Sequence, residues 1–252
     1  VFALDGNSRI SLSNNDSGTS NTIFGKTAGD PDGAGDLNVF IGELAGGAGT
    51  QTDAADNNVG VGYGALTALT QGAGNVVLGS YAGYDITTGS SNVAIGSYDG
   101  SVVSAMRDNT VGSYSIAIGS GALAAANEND NDGSIAIGHE ACKVQAGTGG
   151  AQFSNATIGI GYHALKSLTT GARNFAIGYQ ALQDMTTGQD NMAIGYQAML
   201  DANHAGFDYN TAIGNYSMDG AGAVACAYNT AVGHSTLSGT LTADADSNTA
   251  IG

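Results

Sequence analysis

A five-residue phrase that recurs thirteen times constrains the fold of this chain more than any other feature. Each copy begins with a small polar residue, usually Asn, continues with three mostly apolar residues and ends with Gly, as in Asn92-Val93-Ala94-Ile95-Gly96. Successive closing glycines lie 17 to 23 residues apart. A short period maintained over nearly the whole chain predicts a stacked repeat protein and not a globular domain with one central active site.

The clearest copies of the phrase contain the residues expected to hold the structure together. We number the polar residue as position zero, so that the glycine is position four. Gly is expected where φ must be positive or where backbones approach closely, and stacked Asn side chains are expected to form a ladder of amide hydrogen bonds. The residues predicted to have this structural role are Asn92, Ile95, Gly96, Asn174, Ile177, Gly178, Asn191, Ile194, Gly195, Ile213 and Gly214.

Positions one to three predict a short strand, because positions one and three are mostly β-branched and recur with period two. Position two is never polar and is Ala in eight copies. A strand that is apolar on both faces must be covered on both faces. We expect positions one and three to fill the inside of the coil. Position two would then face a second copy of the chain, which predicts a homo-oligomer.

The rest of each coil contains two variable residues after the glycine, then usually Ala, and then Leu, Met, Cys or Gly. This segment predicts a second short strand, and turn signals such as Thr169-Thr170-Gly171 close several coils. The predicted fold is an all-β parallel β-solenoid, a left-handed β-roll or β-helix of about thirteen coils of 17 to 23 residues. The longer steps predict loops near Ser101–Asp108 and Val144–Gln152, which in solenoids often lie on the binding face.

The repeat divides the chain into two parts. Residues 1–20 do not match it and predict an N-terminal strand or cap, or a join to a preceding domain. Residues 21–252 form the predicted repeat domain, which we expect to continue beyond residue 252.

Charge and hydropathy exclude several classes of partner. The net charge is −16, with only six Lys and Arg residues in total, and these are scattered. No basic patch is therefore available for nucleic acid. No apolar run approaches the roughly 18 residues of a membrane span, so no membrane insertion is expected in this segment. Cys142 lies at a repeat position that other copies fill with Leu, and it is interpreted as a buried hydrophobic residue.

Few residues suggest a metal-binding or catalytic role. Glu128, Asp130 and Asp132 alternate like the oxygen ligands of a calcium loop, but the twelfth position is His139 where such a loop needs Glu. A solvated acidic turn is the favoured interpretation, with a loosely held Ca²⁺ as the alternative and no other metal or cofactor. His139 and His163 lie in the variable positions and are interpreted as surface residues. No catalytic spacing is present, and the chain is not expected to be an enzyme.

A recurring tyrosine indicates a possible contact surface. Tyr63, Tyr162, Tyr179 and Tyr196 all occupy position five and predict an exposed stripe. Such a stripe suits contact with a glycan, and it equally suits packing against a neighbouring chain or coil. Paired Thr residues suggest ice binding, but they recur too irregularly to match a lattice.

Residues 174–199 resemble the repeats of bacteriophage tail fibres, in the phrase Asn-x-Ala-Ile-Gly-Tyr-Gln-Ala, and the phrase is also similar to the head repeats of trimeric autotransporter adhesins. The resemblance covers about residues 21–252. It implies a homotrimeric extracellular fibre, in a virion or on a cell surface, that serves as a shaft and attaches to a host-surface receptor or glycan. The long coils favour the tail fibre over the bacterial surface adhesin or filament subunit. A period near 18 also fits a monomeric three-sided β-helix that binds glycan or ice.

Overall fold

The protein is an all-β parallel solenoid. The computed structural model describes residues 18–29, 33–98, 100–125, 132–144, 156–203, 206–220, 225–239, 241 and 245–252. Thirteen strands form a single sheet in chain order. They are β1 Thr22–Phe24, β2 Val39–Ile41, β3 Val59–Val61, β4 Val76–Leu78, β5 Val93–Ile95, β6 Ile116–Ile118, β7 Ile135–Ile137, β8 Ile158–Ile160, β9 Phe175–Ile177, β10 Met192–Ile194, β11 Thr211–Ile213, β12 Thr230–Val232 and β13 Thr249–Ile251. The predicted strand at positions one to three is therefore confirmed, and each coil is numbered after its strand.

Every strand pairs with its neighbours in parallel and without any shift in register. Ala94 lies beside Ala117, for example, and Ile95 lies beside Ile118. Each motif position consequently forms its own column along the solenoid axis. With strands about 4.8 Å apart, the sheet is roughly 60 Å long.

The inner and outer faces of the strands are the reverse of the prediction. The side chain at position two is fully buried in the coil, as at Ala94 and Ala176. The outward residues at positions one and three, such as Ile95, are only half-buried. The same holds for the predicted core residues Ile177 and Ile194, and Ile213 is 37% exposed. A three-residue strand directs one side chain to one face and two to the other, and the narrow interior receives the single one.

The interior is filled by complementary sizes at positions two and eight. Ile23, Phe40 and Val77 at position two each face a Gly at position eight, whereas the other coils, with Ala or Gly at position two, have Leu, Met or Cys there. In coil 5 this residue is Met106, which follows the insertion. A Cβ on Gly46 would lie 2.7 Å from the Phe40 ring. Because protein interiors are close-packed, only one of the two positions in a coil can hold a large side chain.

The segment after the glycine forms turns, and the prediction of a second strand there was wrong. In most coils the residues at positions six and eight have positive φ, for example 58° at His163 and 53° at Leu165. Such left-handed residues interrupt an extended chain. Among the described residues outside the strands, the bridge between Thr170 and Thr187 is the one β pairing.

The position-four glycines occupy corners that no other residue fits. Their φ angles lie between 128° and 158° in coils 1 to 12. A Cβ on Gly178 would lie 2.1 Å from the carbonyl oxygen of Gly195 in the next coil. Both the backbone conformation and the close approach of the stacked coil therefore require glycine, as predicted.

The predicted Asn ladder is present along the edge of the strands. The side chain of Asn191 donates to the Asn174 side-chain oxygen at 3.2 Å and to the Phe207 carbonyl oxygen at 2.8 Å. Its own oxygen accepts the backbone N–H of Asn210 at 3.0 Å. Similar bonds link the Asn residues of coils 1 to 5 and of coils 9 to 13. These buried amides connect each coil to the coils on both sides of it.

Candidate functional site

Three of the four predicted stripe tyrosines form a stacked column, which we call the Tyr ladder (Tyr162, Tyr179 and Tyr196). The Tyr162 and Tyr179 rings are 5.1 Å apart with an interplanar angle of 8°, and the Tyr179 and Tyr196 rings are 5.2 Å apart at 6°. The in-register stacking of coils 8 to 10 produces this geometry. Both faces of the Tyr179 ring are therefore turned towards neighbouring rings, and its edge is what remains for solvent.

Tyr63 lies apart from the Tyr ladder and contacts a different group of aromatic residues. Its ring centroid is 5.0 Å from that of Tyr81, at an angle of 80°. Positions five of the coils between Tyr63 and Tyr162 contain Ser or His. The predicted stripe is thus interrupted, and its first member belongs to a second aromatic region.

This second region contains a cavity of about 390 Å³, which we call the aromatic pocket. It is lined by Tyr81, Tyr84, Tyr98 and Arg107. Tyr81 and Tyr84 lie in the turn after β4, and Tyr98 follows β5. The Tyr81 ring meets the Tyr84 ring at 57° and the Tyr98 ring at 89°. These rings are not stacked in parallel as in the Tyr ladder, and Tyr98 is 46% exposed, so part of its surface borders the cavity.

Charged groups surround the aromatic pocket. The guanidinium carbon of Arg107 lies 5.8 Å from the centre of the Tyr84 ring, within the range of a cation–π interaction. The same guanidinium is 3.8 Å from the carboxylate of Asp108. Burial and the Asp108 carboxylate raise the pKa of Asp85, against the opposing effect of Arg107. The pocket therefore combines aromatic rings with one cation, Arg107, and carboxylates close to it.

Sequence reasoning missed all four residues of the aromatic pocket, although one signal pointed to them. Arg107 lies in the segment Ser101–Asp108, which was interpreted as a projecting loop on the binding face. The three tyrosines occupy positions six and nine and so did not stand out as a column. Only the fold shows that the chain resumes the repeat at Ala105 after the insertion, which stacks Arg107 beside Tyr84.

A second polar group, the Glu140 network, joins coils 7 and 8. The Glu140 carboxylate is 2.6 Å from the Lys166 ammonium and 3.1 Å from His163 Nε2, and it also accepts a hydrogen bond from Lys143. Burial opposes ionisation of Glu140, but the bonds from Lys143 and Lys166 outweigh it, and the pKa falls to about 2. Burial and Lys166 lower the pKa of His163, against the opposing effects of Gln183 and Glu140.

The Glu140 network also brings together three groups able to ligate a metal ion. The ligand atoms of His139, Glu140 and His163 lie within 4.8 Å of one another. Sequence reasoning placed the two histidines on the surface and did not join them to Glu140. Both carboxylate oxygens of Glu140 are paired with ammonium groups, so a cation would have to displace Lys143 and Lys166. The arrangement works as a salt-bridge network between coils.

The weak calcium candidate falls partly outside the described residues, since Glu128 and Asp130 are not among them. Asp132 accepts the backbone N–H of Ser113 in the preceding coil at 2.7 Å. Asp208 and Asp246 likewise each accept a backbone N–H from the preceding coil. Asp132 thus belongs to a recurring contact between coils.

Both cysteines are buried. Burial raises the pKa of Cys142 to about 12, and burial together with Asp246 raises that of Cys226 to about 11. Cys142 lies in the hydrophobic core, as predicted.

Comparisons with protein-family models, with curated proteins and with solved structures give no match to this chain. In the described part of the chain, no helix has the length and apolar character needed to cross a membrane.

Proposed function

We propose that this chain is a segment of a homotrimeric extracellular fibre of the bacteriophage tail-fibre kind, a stiff shaft that also contacts the surface of a host cell. The observation that carries this proposal is the outward face of the sheet. Positions one and three of all thirteen strands form one continuous strip on this face. Each of their side chains is apolar or Thr, and none is charged.

The strip is large enough to need a partner. It is roughly 60 Å long and roughly 10 Å wide, which gives on the order of 600 Å². Apolar patches of this size mark interaction surfaces, because soluble monomers rarely expose larger ones. Val76, Leu78 and Met192 on the strip are each 37–38% exposed. Three copies related by a threefold axis would bury the three strips against one another. The homo-oligomer prediction is retained, but with the opposite face of the strand at the interface.

The coil contacts supply the stiffness that a shaft requires. Parallel strands, buried Asn amides and stacked rings all link one coil to the next, and the same contacts recur along the axis. In such quasi-one-dimensional structures, each coil is stabilised by its two neighbours. Bending the rod would break several of these contacts at once.

The molar mass in solution tests the trimer. Light scattering should give three times the 24.9 kDa chain mass. Replacing Ile118 and Ile137 on the strip by Lys should give a folded monomer, because each new charge would be buried at the interface. Gln71→Lys adds one of the two positive charges at an exposed site off the strip and should remain trimeric. A wild-type monomer, or a dimer, would refute the trimeric fibre.

Attachment to a host cell requires a measurement separate from the molar mass. The fluorescently labelled segment should be retained by cells of some bacterial strains and not others, as measured by flow cytometry over a broad panel. Retention by no strain would overturn the attachment role.

A further inference from the structure

We propose that the aromatic pocket binds one neutral pyranose unit of a glycan. This deepens the proposed host-surface contact and rests on it, since it names the receptor chemistry and the residues that recognise it. The aromatic pocket and the Tyr ladder are built from the same side chain on the same solenoid, but the tyrosines of the aromatic pocket line a cavity, whereas those of the Tyr ladder stack on one another.

The ring geometry favours a ligand with an apolar face. The Tyr81 ring meets the Tyr84 ring at 57° with centroids 5.4 Å apart, and it meets the Tyr98 ring at 89° with centroids 6.1 Å apart. The faces of aromatic rings are electron-rich and attract the partly positive C–H groups of a sugar ring. The volume of about 390 Å³ lies at the small end of the range for small-ligand pockets, which suits one or two sugar units.

The charges around the aromatic pocket exclude other classes of small ligand. Arg107 already presents a cation to the Tyr84 ring at 5.8 Å, which disfavours a second cation such as a quaternary ammonium group. Asp108 lies 3.8 Å from Arg107, and the chain carries a net charge of −16, which disfavours an anion. A purely apolar ligand offers no acceptor to the Arg107 donors, whereas hydroxyl groups can accept from them. A neutral polyhydroxylated ring satisfies both the aromatic faces and these donors.

The insertion in coil 5 distinguishes this site from the other described coils. Coil 5 has a longer step than its neighbours, and the residues after its insertion return to the register of the repeat, which places Arg107 beside Tyr84 of coil 4. Tyr98 is 46% exposed, and its hydroxyl donates to the Gly100 carbonyl oxygen at 3.2 Å. A partly exposed ring held by its own loop is accessible to a glycan that approaches from solvent.

Saturation-transfer NMR of the assembled wild-type segment tests the proposal with the methyl glycosides of glucose, galactose, mannose, N-acetylglucosamine and N-acetylgalactosamine. At least one glycoside should bind, with transfer strongest to its C–H protons. Tyr98→Ala and Arg107→Gln should each weaken its affinity at least tenfold, and Tyr98→Phe should retain it. Tyr179→Ala in the Tyr ladder is the matched control and should leave affinity unchanged. Circular dichroism should show all variants folded.

Two binding results would overturn the proposal. These are no binding of any of the five neutral glycosides, or equal affinity in wild type and Tyr98→Ala. The cell-retention assay distinguishes failure of the sugar site from failure of the attachment role. If the segment adheres to cells and Tyr98→Ala adheres equally well, the sugar site is wrong and the attachment role stands. If wild type adheres to no strain, the attachment role fails, whatever the glycoside result.

Discussion

Coils 6 to 8 and the coils on either side of them have the same backbone but are connected by different polar groups. In coils 1 to 5 and 9 to 13, position zero is Asn, and its amide bonds reach both neighbouring coils. In coils 6 to 8, the position contains Ser115, Ser134 and Thr157, all fully buried. The strands of these central coils retain the parallel register of the rest. The coil shape is therefore set by the glycine corners and the apolar interior, not by the Asn ladder.

The central coils carry a different connection on their surface. Glu140 of coil 7 pairs with Lys166 and His163 of coil 8, which ties the two coils by charge. The Ser and Thr side chains at position zero are shorter than Asn, and a hydroxyl has fewer hydrogen-bond donors than an amide with which to link neighbouring coils. Ion pairs also occur beside the Asn ladder, as between Arg173 and Asp190, but at the Ser and Thr positions of coils 7 and 8 the Glu140 network is the charged connection, and it depends on pH.

Removal of one ladder amide should have the largest effect. Asn191→Ala leaves the Asn210 N–H and the Phe207 carbonyl without their partner inside the protein. Two buried unpaired groups should lower the free energy of unfolding by about 3–5 kcal/mol. Ser134→Ala in the central coils is the matched variant and should cost about 1 kcal/mol. Urea unfolding at equal protein concentration measures both, and equal losses would contradict the distinction between the two regions.

Neutralisation of Glu140 should have the next largest effect. The pKa of about 2, against an ordinary value of 4.5, corresponds to roughly 3 kcal/mol of stability at neutral pH. Because the pKa is lower in the folded state, this stability is present above pH 4.5 and is lost as the pH falls towards 2. Glu140→Gln should therefore destabilise the protein at pH 7 and flatten its acid unfolding profile.

The lowered pKa of His163 acts in the same direction, since protonation below its ordinary value of 6.5 disfavours the folded state. The control for both effects is Glu43→Gln, which removes an exposed ion pair with Lys26 and should change stability by less than about 1 kcal/mol. An acid profile of Glu140→Gln identical to wild type would show that the Glu140 network contributes nothing.

The smallest change is expected at Thr157. Within the described residues, its buried Oγ1 has no hydrogen-bond partner. Thr157→Val replaces the hydroxyl by a methyl group of similar size, so the cost of burying an unpaired polar atom disappears. Thermal unfolding should show unchanged or slightly higher stability, by up to about 1 kcal/mol. A large loss would mean that the hydroxyl is bonded in solution.

Much of the fold could be predicted because the repeat is local and frequent. The thirteen copies of the phrase show where the strands lie. Because position four is always Gly, it indicates a corner that needs positive φ. The complementary sizes at positions two and eight, as in Phe40 with Gly46, are also visible in the sequence. The aromatic pocket and the Glu140 network could not be read in this way, because their members come from different coils and different motif positions.

The sequence by itself determined the strands, the glycine corners, the Asn ladder and the parallel stacking, since each follows from residues that recur at a constant spacing. Only the tertiary structure decided which strand face is internal. Ala94 and Ile95 are both apolar, so hydrophobic pattern cannot distinguish inside from outside. The direction of the turn after Gly96 decides it, by packing the following segment against Ala94 and leaving Ile95 on the outer strip. That choice depends on the volume available inside the coil, which exists only once the chain has closed around it.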